Sequence, residues 1–215
     1  MRGLFITFEG TEGSGKTTQI IRLAGRLGEM GYRARVLREP GTTPIGEEIR
    51  HTLKHSNANH SMTSETELLL MNASRAQLVR EIIRPALSAG EIILCDRFYD
   101  STTAYQGHGR GLDLALVRSI IDFAVGDTRP DLTLLLQVPI EVSEERRLAR
   151  QATLPGIRDR IEEADRKFFE RVAHGFELIA AAEPQRVRAI DATADMDQIS
   201  ARIWELVAPL LRPVS

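Results

Sequence analysis

Residues 10 to 17 read Gly-Thr-Glu-Gly-Ser-Gly-Lys-Thr. The spacing G-x-x-x-x-G-K-[ST] is that of a phosphate-binding loop. Its glycines let backbone N–H groups turn inward around a phosphate, and the helix behind them adds a favourable dipole. The lysine reaches the β- and γ-phosphates and the last hydroxyl can ligate Mg²⁺. The context suits the motif. An apolar run, Leu4 to Phe8, precedes it, and the helix-forming stretch Thr18 to Ala24 follows. Gly10, Thr11, Glu12, Gly13, Ser14, Gly15, Lys16, Thr17 and Thr18 are therefore expected to bind ATP.

Other reactive groups cluster downstream. Asp96 and Arg97 follow an apolar run, Ile92 to Cys95. An acid there can hold Mg²⁺, so Thr17 and Asp96 are the expected metal ligands. An arginine there can bind a second phosphate. The next ten residues, Phe98 to Gly107, are rich in hydroxyl and amide groups, which suits a sugar and a base. Arg146, Arg147, Arg150, Arg158 and Arg160 surround the breaker pair Pro155-Gly156. That pattern reads as a lid over about 146–160, able to close on ATP and bring cations to the transferred phosphoryl group.

These groups need a scaffold that gathers them. Strands are expected at 3–9, 33–37, 92–95, 132–138 and 186–190. Helices are expected at 17–31, 45–54, 64–72, 73–89, 113–125, 141–151, 162–182 and 195–211. Strands alternating with helices predict an α/β fold: a five-stranded parallel sheet with helices on both faces. Ligands of such sheets sit beyond the carboxyl ends of the strands. The glycine-rich loop, Arg38-Glu39, Asp96-Arg97 and Asp191 all fall there. Residues 1–215 are expected to form one domain.

Composition narrows the class. The chain has 215 residues, 42% hydrophobic and 27% charged, with net charge −2. That balance gives no reason to expect nucleic-acid binding. No long apolar stretch suggests a membrane span, and the N-terminal apolar run reads as a strand, so a cytoplasmic location is expected. Cys95 is the only cysteine, which rules out an internal disulfide and reads as a packing residue. The five histidines lack metal-ligand spacing. No Asn-Lys pair and no Asp-x-x-Gly occur, which argues against a GTPase switch.

The ordered motifs resemble bacterial thymidylate kinases, a family of P-loop nucleoside-monophosphate kinases. They are Phe8-Glu9-Gly10 with the loop, Arg38-Glu39-Pro40-Gly41, Gly46-Glu47 with Arg50, Asp96-Arg97-Phe98, Ser101-Thr102, Ala104-Tyr105-Gln106-Gly107 and Asp159-Arg160. The resemblance spans the chain. It implies transfer of the γ-phosphoryl of ATP to dTMP, with Mg²⁺ and a homodimer. A kinase for dUMP or dCMP is the alternative. Lys16, Arg97, Arg150 and Asp96 are then the implied catalytic set.

The resemblance also implies acceptor contacts. Glu12 lies near the sugar and phosphate, Arg50 and Arg97 bind the phosphate, and Arg75 recognises the base. Ser101, Thr102 and Gln106 line the base pocket, and Tyr105 crowds the sugar 2′ position. Glu39 and Pro40 complete the expected substrate-binding set, and Asp191-Ala192-Thr193 lies beside adenine. Three positions depart from the family pattern. Met71-Asn72 replaces an aromatic pair, so Met71 is expected to cover the base. Thr42 replaces a glycine, which predicts an altered turn because threonine resists positive φ. The stretch 151–158 is longer than many lids.

Overall fold

A computed structural model of the chain describes residues 2–153, 160, 161 and 163–212, except for the side chains of Arg150, Gln151 and Thr153. Five strands form one parallel sheet: β1 (Phe5–Glu9), β2 (Ala34–Arg38), β3 (Ile92–Asp96), β4 (Leu132–Gln137) and β5 (Val187–Asp191), in the order β2-β3-β1-β4-β5. The expected sheet is present, within a residue or two at each boundary.

Strand alternation divides the core between the two faces of the sheet. Phe5, Ile93 and Cys95 pack on one face, with Leu78, Val79 and Val117. Ile6, Phe8, Leu94 and Leu134 pack on the other, with Ile20, Leu23 and Ile203. Both faces are covered, which is why these strands read as continuous apolar runs. Cys95 is buried, as its sequence context suggests. A third cluster joins Tyr105 to Phe168, Phe169, Val172 and Phe176.

Nine α-helices are defined among the described residues: α1 (Lys16–Glu29), α2 (Pro44–Lys54), α3 (Ser64–Leu78), α4 (Arg84–Ser88), α5 (Tyr99–Thr102), α6 (Leu114–Val125), α7 (Ile140–Thr153), α8 (Arg166–Ala182) and α9 (Met196–Val207). The sequence suggests a break at residue 72, but α3 runs through it. Asn72 turns its amide onto the Leu68 carbonyl at 2.8 Å, one helical turn back. A π-helical stretch, Val79–Ile83, then continues α3 into α4. The helix expected from 162 begins at Arg166, where the Asp165 carboxylate caps it by accepting from Phe168 N at 2.7 Å. The final helix ends at Val207 and passes into a 3₁₀ turn, Ala208–Leu210.

The polar run after Asp96 is helical, which its composition does not announce. It forms α5 and a π-helical stretch, Thr103–Gly109. The wider π turns carry Tyr105 and Gln106 and pack closely on α8, where Gly175 leaves room for His108. Such bulged helices occur often at functional sites.

Candidate active site

Two clefts meet at the carboxyl end of the sheet. The first is built on the glycine-rich loop. Gly10, Gly13 and Gly15 have φ of 133°, 74° and 89°, which disfavours any side chain. A Cβ on Gly10 would also lie 2.3 Å from the Leu136 carbonyl oxygen. Helix α1 starts at Gly15 with no side-chain cap and no acid in its first turn. Its leading N–H groups and positive dipole end are thus left for an anion.

Lys16 Nζ donates to the carbonyls of Gly10 at 3.1 Å and Thr11 at 2.8 Å, and reaches Ser14 Oγ at 3.3 Å. Burial, and Arg97 nearby, push the Lys16 ammonium down to about 8. Thr17 Oγ1 donates to Asp96 Oδ2 at 2.7 Å, so the two expected metal ligands are adjacent. One hydroxyl and one carboxylate are hard oxygen donors, and Mg²⁺ in phosphoryl-transfer sites takes few protein ligands beside phosphates and water. The donor set fits that ion.

The second cleft adjoins the first and is the smaller of the two. Its lining contains every expected substrate-binding residue except Arg50, which lies in the neighbouring cleft. Arg97 stands where this cleft meets the first. Its φ is 70°, an uncommon conformation for a side-chain-bearing residue. Its Nη1 donates to Gly10 O and Ser101 Oγ at 3.0 Å each, and its Nη2 to Glu12 Oε1 at 2.8 Å and Tyr105 Oη at 3.1 Å. The Tyr105 hydroxyl donates in turn to Glu12 Oε2 at 2.6 Å. Burial would raise the Glu12 carboxyl, but Arg97, Lys16 and Tyr105 outweigh it and hold Glu12 below its ordinary value.

Arg75 forms one end of this cleft, only 2% exposed. Its Nε donates to Glu39 Oε2 at 2.8 Å and its Nη2 lies 2.8 Å from the same oxygen. Its Nη1 donates to Asn72 Oδ1 and Thr102 Oγ1 at 2.9 Å each, and its Nη2 also donates to the Phe98 carbonyl at 3.1 Å. Asn72, one of the departures from the family pattern, therefore acts as a brace for Arg75. Glu39 is raised to about 7 by burial, with Arg75 opposing. Its Oε1 is the one buried side-chain oxygen without a hydrogen bond among the described residues. Glu9 is likewise raised to about 7, by burial and then by Asp100, while accepting from Phe98 N and Ser101 Oγ.

The turn after β2 corrects one expectation. Thr42 takes a φ of 74°, so the turn accepts a threonine where glycine was expected. Its hydroxyl bonds both Arg38 N and Arg38 O at 3.0 Å, and its N–H donates to Glu47 Oε1 at 2.6 Å. These local bonds offset the strain, which is about 1–3 kcal/mol for such a conformation. The Glu39–Pro40 peptide is cis, and Arg50 Nη1 donates to Pro40 O at 2.9 Å.

The arginine-rich segment is only partly visible. Helix α7 is fixed to the glycine-rich loop by Ser143 Oγ donating to Glu12 O at 2.7 Å and by Arg146 Nη1 donating to Gly13 O at 3.0 Å. Arg150 belongs to α7, but its side chain, and residues 154–159 with Arg158, lie outside the described residues. The segment's next described residue is Arg160. There its N–H donates to Lys54 O at 3.2 Å, and its guanidinium donates to Met62 O at 2.7 Å and meets Glu67. Glu67 also accepts from Gln106 at 2.8 Å and from Arg110 at 2.9 Å. Burial opposes its charge, but these donors hold Glu67 below its ordinary value.

Three residues escape the sequence reading. Lys54 lines both clefts, and Ile161 lines the smaller one opposite no motif that would have flagged it. Glu67, buried and joined to two arginines, is not among the expected site residues. Asp191 lies at the end of β5, its carboxylate accepting from the Thr193 N–H at 2.9 Å. No helix among the described residues is long and apolar enough to cross a membrane, and no cluster of three metal-binding side chains occurs among them.

Comparison with known proteins agrees with the geometry. The family profile described as thymidylate kinase matches residues 8–203. The chain is 47% identical over 208 residues to a thymidylate kinase of Thermomicrobium roseum, covering 97% of this chain and 96% of that one. It is 47% identical over 207 residues to one of Deinococcus radiodurans, covering 96% and 97%. The crystal structure of thymidylate kinase from Ehrlichia chaffeensis matches with a TM-score of 0.76 and 33% identity, covering 97% and 99%. A glycine-shaped phosphate loop, opening through Arg97 and Glu12 into a polar pocket closed by Arg75, thus sits on a chain related to these enzymes along nearly its whole length: the chain belongs to the thymidylate kinase family.

Proposed function

We propose that this protein transfers the γ-phosphoryl group of ATP to dTMP. The observation that carries the reading is the meeting of the two clefts, which share Glu12, Glu39, Lys54 and Arg97. A donor triphosphate on the loop and an acceptor monophosphate in the pocket would face each other across those residues. An acceptor phosphate is already anionic at neutral pH, so the reaction needs positioning and charge stabilisation more than a base.

The roles follow from position. The loop N–H groups and Lys16 hold the donor phosphates. Thr17 and Asp96 would hold Mg²⁺, whose contribution is to neutralise charge on the donor phosphates. Arg50 and Arg97 orient the acceptor phosphate. Arg75, Thr102 and Gln106 give the pocket its polar end, and Met71 and Ile161 its apolar walls. Tyr105, held against Glu12 and Arg97, crowds the sugar. Arg150 supplies cationic charge from the lid over about 146–160, all within one domain. Its replacement by alanine is expected to lower kcat by about 10³–10⁵-fold.

We also infer a homodimer working in the cytoplasm, where both nucleotides are available. The exposed apolar residues Leu69 on α3 and Leu116 and Phe123 on α6 support a partner on that side, since α3 and α6 pack together. Helix α3 carries Met71 and Arg75, so pairing there would brace the acceptor pocket. ADP formation by the purified protein with dTMP, dUMP and dCMP as acceptors tests the main reading. Preference for dTMP supports it; equal or greater rates with dUMP or dCMP overturn it.

A further inference from the structure

Resting on that reading, we propose that Lys54 is a further acceptor-positioning residue, placing its ammonium on the acceptor's phosphate at the junction of the two clefts. The first ground is location. Of the four residues shared by both clefts, two are cations, Arg97 and Lys54. The transferred group must pass through this junction, so a cation here meets the acceptor phosphate and not the base.

The second ground is the state of Arg97. Its two terminal nitrogens already face four acceptors: the Gly10 carbonyl, Ser101 Oγ, Glu12 and the Tyr105 hydroxyl. Its charge is paired with Glu12 at 2.8 Å. A monophosphate carries about −1.5 to −2 charges at neutral pH. With Arg97 paired to Glu12 and Arg50 donating to the Pro40 carbonyl, the two arginines leave part of that charge for a third cation. A lysine brings three donors on a flexible stem and acts as a point charge on phosphate. The Lys54 charge is also felt at Glu12, helping to keep that carboxyl ionised.

The third ground is the backbone. Lys54 closes α2, the helix that also presents Arg50 one turn earlier. Its carbonyl accepts from the N–H of Arg160, the last arginine of the arginine-rich segment, at 3.2 Å. Ile161, next in sequence, lines the acceptor cleft. Lys54 thus stands where α2, the acceptor cleft and the end of the lid meet. Lysine is scarce in this chain: there are three, and the other two are Lys16 and Lys167.

The test compares Lys54→Met and Lys54→Arg with wild type in the full chain. Binding of dTMP and of thymidine, which lacks the phosphate, is measured by calorimetry, together with kcat and KM for dTMP. The Met variant is expected to weaken dTMP about 10-fold, as loss of one charge-assisted contact implies. Thymidine binding should be unchanged, and the Arg variant should recover much of the dTMP affinity. Equal weakening of dTMP and thymidine, or unchanged dTMP affinity in the Met variant, overturns the proposal and leaves Lys54 as a structural helix end. The wild-type arm judges the underlying reading separately. Wild type that consumes no ATP with dTMP overturns the acceptor assignment, and this inference with it.

Discussion

The donor loop and the acceptor pocket reach a similar end by opposite means. The loop spans eight consecutive residues and is shaped by backbone: three glycines with positive φ, an uncapped helix start and one lysine. The pocket is assembled from side chains of the glycine-rich loop, the turns after β2 and β3, α2, α3, α5 and the π-helical stretch after it, with Ile161, joined by buried ion pairs such as Arg75–Glu39 and Arg97–Glu12. Backbone shape tolerates change among its neighbours. A buried charge network does not, because removing one partner leaves the other desolvated and unpaired. The loop should therefore fail in rate alone, and the pocket in both binding and stability.

The largest expected effect tests the loop. Lys16→Ala should lower kcat by about 10²–10³-fold or more, as removal of one preorganised donor to developing charge does. Lys16 does not line the acceptor cleft and reaches it only through Glu12, so dTMP affinity should change far less than kcat. A parallel loss of dTMP binding, read by calorimetry, would show that the two regions are not separable.

Glu67→Ala probes the pocket's support. It strips the common partner from Arg110, Arg160 and Gln106. Breaking a buried pair costs about 3–5 kcal/mol, and the low end applies because the two arginines keep some solvent contact. A fall of about 6–12 °C in melting temperature is expected for a chain of this size. Thermal scanning checks it; an unchanged melting temperature would make Glu67 a surface-like acid and remove the contrast.

Met71→Phe sharpens the base end. Met71 lines the cleft and packs beside the Tyr105 cluster. A thioether covers a ring by dispersion but lacks aromatic offset stacking, which is worth about 0.5–1.5 kcal/mol. The KM for dTMP should drop roughly two- to twelve-fold with kcat little changed. A Phe variant with unaltered KM and an intact fold would place the base elsewhere.

The smallest effect concerns pH. Glu39 and Glu9 are both raised to about 7 by burial. In the unfolded chain these carboxyls ionise near the ordinary 4.5, so above it the folded state binds more protons. Their contribution is present at lower pH and is lost as pH rises through 7. Each contributes up to about 1.4 kcal/mol per pH unit. His108, held below its ordinary value by burial, acts in the opposite sense below 6.5. Between pH 6.5 and 7.5, wild-type stability should therefore fall as pH rises, and Glu39→Gln should flatten that slope. Denaturant titrations across the window measure it; a steeper slope in the variant would contradict the assignment.

The same contrast explains what could be read in advance. The sheet and the loop were legible because their signals are local: apolar runs in β1, β3 and β4, and glycines at fixed spacing. Most pocket residues were legible only through a family resemblance, because no local rule joins Glu39 to Arg75 or Glu12 to Tyr105. The helicity of 99–109 was hidden, since its hydroxyls and amides suggest a loop until α8 packs on them. Asn72 looked like a helix break and instead bonds back to Leu68 while bracing Arg75. Thr42 looked like a turn breaker and instead supplies the bonds that hold the turn. Lys54 and Ile161 carried no signal, because their importance comes from where two distant segments cross.

The strand order also governs how the molecule comes into being. β1 lies in the middle of the sheet, with Phe5 paired to Ile93 and Ile6 paired to Leu132. The glycine-rich loop is synthesised before either partner of its strand, since β1 has no neighbour until β3 and then β4 have emerged. Its shape therefore depends on the least local contacts in the chain, and long loops must close before those contacts form. A nascent chain halted before residue 137 would carry the complete ATP motif without the sheet that holds it. Competence for nucleotide therefore waits on β4, although the residues of the loop precede it in the chain.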